Sequence, residues 1–298
     1  MPAFQSMRRF LLHFRVALWR AFQHDAFAVA KGTAFSAIFT LFPAVLLVAS
    51  VLSESHTTEA FIREIGRAVG RILPEGTSTA VLQYFSGTKP VSVRTLITLA
   101  VITLWTGSGT MISWMEGFRN AYQMPKVWGL VKERMIAFLL VVLAGIPMAF
   151  SSLLLVFGNQ IETWIAYHVG HEFGPYIVGL WTALRWIIAA LTSIAVVGLI
   201  YHHGVPRTQP WHRVLPGAAL ATVMWFVSTV LFGVYLRHFA NYDAVYGSVA
   251  TAIALLIWLY IVSMVVLIGA EFNALRYPRF LFGSHSDINS EKKRVQAS

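Results

Sequence analysis

Six long apolar runs constrain this chain more than any other feature of its sequence. They cover 34–53, 95–115, 135–157, 176–200, 214–236 and 246–270, and Arg185 is the only Lys, Arg, Asp or Glu inside them. A helix rising about 1.5 Å per residue needs roughly 20 residues to cross a hydrocarbon core about 30 Å thick, and every run is long enough. A lipid interior offers no water to the backbone, so each run is expected to satisfy its own hydrogen bonds as a helix. Only 12% of the chain is charged, where soluble domains run nearer about a quarter. The expected fold is all-α: a polytopic membrane protein with six transmembrane helices. Residues 1–280 are expected to form one six-helix transmembrane domain, with 281–298 a flexible, basic cytoplasmic tail.

The net charge of +10 raises the question of nucleic acid, and its distribution answers it. With both termini in the cytoplasm, sixteen Lys and Arg fall on the inner side of six spans and six on the outer side. That asymmetry follows the positive-inside rule. The basicity therefore reads as orientation and as contact with anionic lipid headgroups. No basic stripe with interleaved aromatics stands apart from the membrane flanks, so no nucleic-acid partner is expected. The chain has no cysteine, which excludes disulfides, thiolate metal sites and a cysteine nucleophile. No cleavable signal is expected, because His13 and Arg15 interrupt the first apolar stretch.

Outside the spans, residues 4–30 read as an interfacial helix with Phe10, Phe14, Leu18 and Phe22 at four-residue spacing. Residues 57–86 read as an amphipathic helical hairpin between spans 1 and 2, either a solvated connector or a lid. Pro43 in span 1 and Pro147 in span 3 are expected to kink their helices, for packing or as hinges. Gly107-Ser108-Gly109 in span 2 allows either close helix packing or a local break lining a cavity.

The polar residues with chemical potential sit at span ends. Glu116 and Glu271 lie near helix C-termini, where the macrodipole disfavours a negative charge. Lys31 and Arg119 are the basic residues expected to compensate, giving a cytoplasmic cluster of Lys31, Glu116, Arg119 and Glu271. It would act as a clamp between helix ends, or as a gate or headgroup site. Arg185 is expected either to snorkel or pair with Glu162, Glu172 or Asp243, or to line a polar pathway. His168 and His171 are three apart and match no zinc helix motif, and His202-His203 offers less. No nucleophile elbow, phosphate loop or dinucleotide fingerprint is present, so no cofactor, metal or catalytic centre is expected.

The last third carries a distinctive order of short motifs. Leu215-Pro216-Gly217-Ala218 opens span 5 and Val245-Tyr246-Gly247-Ser248 opens span 6, which ends Gly269-Ala270-Glu271-Phe272-Asn273. Together with Gly32-Thr33-Ala34-Phe35-Ser36 and Leu41-Phe42-Pro43, this resembles the YihY/BrkB family of bacterial inner-membrane proteins over roughly residues 8–280. These are packing motifs: Pro216, Gly217, Tyr246 and Gly247 join Pro43, Gly107, Gly109 and Pro147 as candidate hinge or packing positions. The corner after span 2 departs from the family, with Arg119 where Leu is common and Gln123 where Trp is usual.

The resemblance implies a multi-pass inner-membrane protein and brings ribonuclease, serum-resistance and transporter labels without a defined activity. A nuclease needs a water-filled metal or acid–base site and a basic groove, and neither is visible. The expectation is a non-enzymatic transporter or lipid-translocating protein. The alternative is a structural or assembly protein of the envelope, acting with a protein partner or as a homo-oligomer.

Overall fold

The described part of every apolar run is helical in the chain's structure, a computed structural model that describes residues 2–52, 92–168, 174–207, 209–239 and 248–276. Seven helices occupy the described residues: α1 Pro2–Gln23, α2 Ala26–Leu52, α3 Val93–Ala121, α4 Leu130–His168, α5 Gly174–His203, α6 Trp211–Phe239 and α7 Ser248–Arg276. The last six are long and apolar enough to cross a membrane. They remain helical through Pro43, Pro147 and Pro216, and α3 continues without a break through Gly107-Ser108-Gly109. The 57–86 segment, Tyr246, Gly247 and the 281–298 tail lie outside the described residues.

Sequential neighbours pack side by side from α2 to α7, and α7 closes the ring by packing on α2 and also on α3. This makes α7 the most enclosed span, with 44% of its most apolar window buried against 11% for α2. Small residues set the closest approaches. A Cβ on Gly107 would sit 3.2 Å from Thr40 Cγ2 and 3.3 Å from a Val141 methyl, so this glycine packs α3 between α2 and α4. Thr40 and Thr110 face each other across the same seam at 3.5 Å.

The N-terminal helix is shorter than the sequence suggested. Residues 26–30 belong to the first span, because Asp25 takes a left-handed backbone (φ 56°) that ends α1 and starts α2. Non-glycine residues enter that region at a cost of roughly 1 kcal/mol. The turn is held by His24 N–H donating to Arg20 C=O and Ala28 N–H donating to Asp25 C=O. α1 then folds back against α7 and α2. Its seam is Phe14, Ala17 and Ala21, the alanines fully buried, while Leu18 and Phe22 of the expected apolar stripe are exposed.

A second left-handed residue, Gln123 (φ 52°), ends α3. Met124 N–H donates to Arg119 C=O and Gln123 N–H to Asn120 C=O, the pattern that caps a helix with a left-handed residue just past its end. Both left-handed turns lie at the same end of the bundle, where α2, α4 and α6 begin and α3, α5 and α7 finish.

Candidate functional site

That α1 end holds both buried carboxylates of the described residues, Glu133 and Glu271, with Arg119, Gln209 and Asn273 buried beside them. Its centre is the crossing of α6 and α7. A Cβ on Gly217 would collide with the Gly269 carbonyl and the Asn273 amide, and a Cβ on Gly269 would strike the Tyr201 hydroxyl and the Gly217 carbonyl. The two glycines let the backbones touch. Pro216 supplies no N–H to α6, and Asn273 reaches into that turn: Gly217 N–H donates to its Oδ1 at 2.7 Å, and its Nδ2 donates to Val214 C=O at 2.9 Å. Tyr201 of α5 donates to Val266 C=O of α7 at 2.5 Å and meets Phe118 of α3 edge to face at 5.1 Å. Four helices are thus joined at one buried junction.

Two buried carboxylates flank it. Glu133, in the first turn of α4, accepts from Arg119 on Oε1 and lies 3.2 Å from Lys126 Nζ on Oε2. An acid at a helix start and a base in the last turn of α3 both agree with the helix dipoles. Glu271 lies near the end of α7, against its dipole, and is 1% exposed. Its Oε1 accepts from His24 Nδ1 at 2.6 Å, and Gln123 Nε2 lies 3.4 Å from the other ring nitrogen. Glu271 Oε2 is buried without a hydrogen-bond partner.

The Tyr122 hydroxyl and Gln209 Oε1 are buried and unpartnered as well. Tyr122 faces the side chains of Gln209 and Asn273 and feels the charge of Glu271, though no hydrogen bond of good geometry forms. Burial pushes the Tyr122 phenol above its ordinary value, which keeps it a neutral hydroxyl. Gln209 is held by its backbone: its carbonyl accepts from His202 Nδ1 at 2.5 Å, and the His202 ring stacks on Trp211 at 4.8 Å.

The four residues expected to cluster are divided. Arg119 pairs with Glu133 and Glu271 with His24, while Lys31 and Glu116 are exposed. The expected Lys31–Glu271 pair is therefore not formed. The buried side of α2 here is Ala26, Ala30, Thr33 and Ala34, which turns Lys31 outward, and Met115 and Phe118 do the same to Glu116 on α3. Arg185 is buried rather than snorkelling, with its side chain packed over Gly158, whose carbonyl accepts from Trp181 Nε1 at 3.0 Å. The side chains of Glu162, Glu172 and Asp243 fall outside the described residues.

His24, Tyr122, Glu133, Tyr201 and Gln209 were not singled out from the sequence. Only Glu133 left a signal, an acid at the start of an apolar helix close in sequence to Arg119. Among the described residues no group of three or more His, Cys, Asp or Glu is placed to hold a metal.

Six apolar helices in a ring, with their polar joints gathered at one end, define a multi-pass α-helical membrane protein, an architecture consistent with a bacterial inner membrane. The chain belongs to the Virulence factor BrkB family, whose model matches residues 17–293. It is 29% identical over 268 residues to a UPF0761 membrane protein of Tolumonas auensis, covering 88% of this chain and 84% of that one. It is likewise 29% identical over 179 residues to a ribonuclease-like protein, YfkH, of Bacillus subtilis, covering 60% of this chain but only 64% of that protein. A third relative, a UPF0761 membrane protein of Chlorobium phaeobacteroides, is 27% identical, with 85% of this chain matching 55% of that one. No solved structure matches.

Proposed function

We propose that this chain is a transporter that moves lipid across the bacterial inner membrane, with the α1 end and both termini in the cytoplasm. The observation that carries the reading is an open apolar groove of about 780 Å³ along the exposed side of α1, where it meets α2 and α7. Leu12, Val16, Leu18, Trp19 and Phe22 of α1 line it with Phe27 of α2 and Met264 of α7, and Arg15 is its one charged wall. An apolar slot with a guanidinium beside it suits an acyl chain and an anionic headgroup. The excess of Lys and Arg flanking the α1 end supports the orientation. No reaction is assigned to the site: its buried groups serve binding and coupling rather than catalysis.

A second reading is a non-transporting envelope scaffold with a protein partner. The tight closure of the α6–α7 crossing and the doubly paired Glu133 favour it, since both resist movement.

The test is a proteoliposome assay with a fluorescent lipid and a membrane-impermeant quencher, run on wild type, Arg15→Glu, Arg185→Ala and Glu271→Ala. Lipid movement by wild type that Arg15→Glu abolishes supports translocation along the α1 groove. Wild-type vesicles that match protein-free vesicles would leave the scaffold reading.

A further inference from the structure

Glu271 is one of two buried carboxylates at the α1 end, and only one of its oxygens is satisfied. A buried polar atom without a partner costs about 1–3 kcal/mol, and more when charged. The surroundings of Oε2 make the deficit specific. Gln209 Oε1 is a second buried oxygen without a partner, and the Tyr122 hydroxyl, also unpartnered, faces Gln209 and feels the charge of Glu271.

We propose that Glu271 Oε2 is a proton-binding site, loaded from the cytoplasm through His24. A proton there turns a buried, charged acceptor without a partner into a neutral hydroxyl, which is less costly to bury. It also removes a charge that opposes the α7 dipole. The route is visible in the exposures: the His24 side chain is 19% exposed and that of Glu271 2%. Water reaches the imidazole and not the acid. In the transfer, the imidazolium gives its Nδ1 proton to Glu271 Oε1, 2.6 Å away, leaving a neutral acid and a neutral imidazole that keeps its Nε2–H. Rotation of the carboxyl group about its terminal bond then exchanges the two oxygens and carries the O–H to the Oε2 position. The imidazole regains a proton from water, and Gln123, beside Nε2, accepts from the Nε2–H once its amide is turned to present C=O.

The charged and titratable groups that face Glu271 are Arg20 from α1, His24 from the α1–α2 turn and Tyr122 from the end of α3. The hydrophobic cluster around the junction receives Ala26 and Ala30 from α2 and Val214 and Ala218 from α6, and Arg213, in the first turn of α6, is the charged residue of that helix at the same end. Arg20 and His24 make a metal cation a poor occupant and leave the proton as the fitting ligand. The site stands whether or not the protein moves lipid, and it assigns a coupling ion if it does.

The test is infrared difference spectroscopy on the full chain in lipid nanodiscs as the pH is lowered, reading the carbonyl stretch of a neutral carboxylic acid. The proposal expects a signal of one carboxyl group that is lost in Glu271→Gln and retained in Glu133→Gln. His24→Ala, which keeps the acid but removes its donor and positive partner, moves the signal to higher pH. This variant also provides the test if Glu271→Gln fails to fold. Replacing sodium by choline leaves the signal unmoved. A wild-type signal that persists in Glu271→Gln, a spectrum without any neutral acid, an unshifted His24→Ala or a signal displaced by sodium would each overturn it.

Discussion

Glu133 and Glu271 are both buried acids at the same end of the bundle, and they are held in opposite ways. Glu133 opens a helix, where the dipole welcomes a negative charge, and each of its oxygens meets a base. Glu271 closes a helix, where the dipole opposes it, and has one partner that is itself titratable and one oxygen with none. A carboxylate saturated by Arg and Lys has no use for a proton and acts as a fixed joint between α3 and α4. A carboxylate half-satisfied by His exchanges its charge at small structural cost. Burial alone does not separate a clamp from a switch; the partners of the second oxygen do.

The contrast can be broken most forcefully at Glu133. Glu133→Ala leaves the Arg119 guanidinium buried without its acid, and the expected loss is about 3–5 kcal/mol. It would be read as a large drop in the unfolding midpoint of the purified protein in detergent. Next comes Gly269→Ala, whose Cβ would lie 2.7 Å from the Gly217 carbonyl and 2.9 Å from Ala221 Cβ. Backbone cannot yield as a side-chain tip can, so about 2–3 kcal/mol is expected. Gly107→Ala meets only side-chain methyls, which must give by a few tenths of an ångström, and the roughly 1 kcal/mol of helix propensity gained by alanine offsets that, so the same melt should change little.

Asn273→Ala removes both bonds into the Pro216 turn and strands the buried Gly217 N–H, at about 2 kcal/mol. Thermal unfolding of Asn273→Asp beside it sharpens the point, since a carboxylate still accepts from Gly217 but no longer donates to Val214 C=O. Among the buried polar residues the mildest effect is expected at Glu271→Gln. The neutral isostere keeps an acceptor for His24 and can donate toward the open oxygens, so stability should change by about 1 kcal/mol or less. A loss as large as that of Glu133→Ala would mean that Glu271 is a clamp after all.

The spans were legible because apolar content over 20 residues is a local property, and the described part of each run lies inside one helix. Their ends were not. α3 runs on to Ala121 and α7 to Arg276, since a helix continues through polar residues when packing or a cap supports it. Arg119 and Glu271 were recognisable as charges too close to apolar spans to stand alone. Their partners were hidden for two physical reasons. Each helical residue turns the side chain by about 100°, so Lys31 and Ala30 point to different surroundings although they are neighbours. And His24 meets Glu271 across 247 positions of sequence only because a left-handed Asp25 folds α1 back onto α7.

The amino-acid sequence by itself determined that this chain is a six-span membrane protein of the BrkB family. Apolar length, charge depletion and short packing motifs are carried by consecutive residues and need no tertiary contact to act. The tertiary structure alone decided which acid is sealed and which is left with an open oxygen. That outcome depends on the rotation of α2 and α3, the closing of the ring by α7 and the return of α1. Each of these is set by packing among helices distant in sequence.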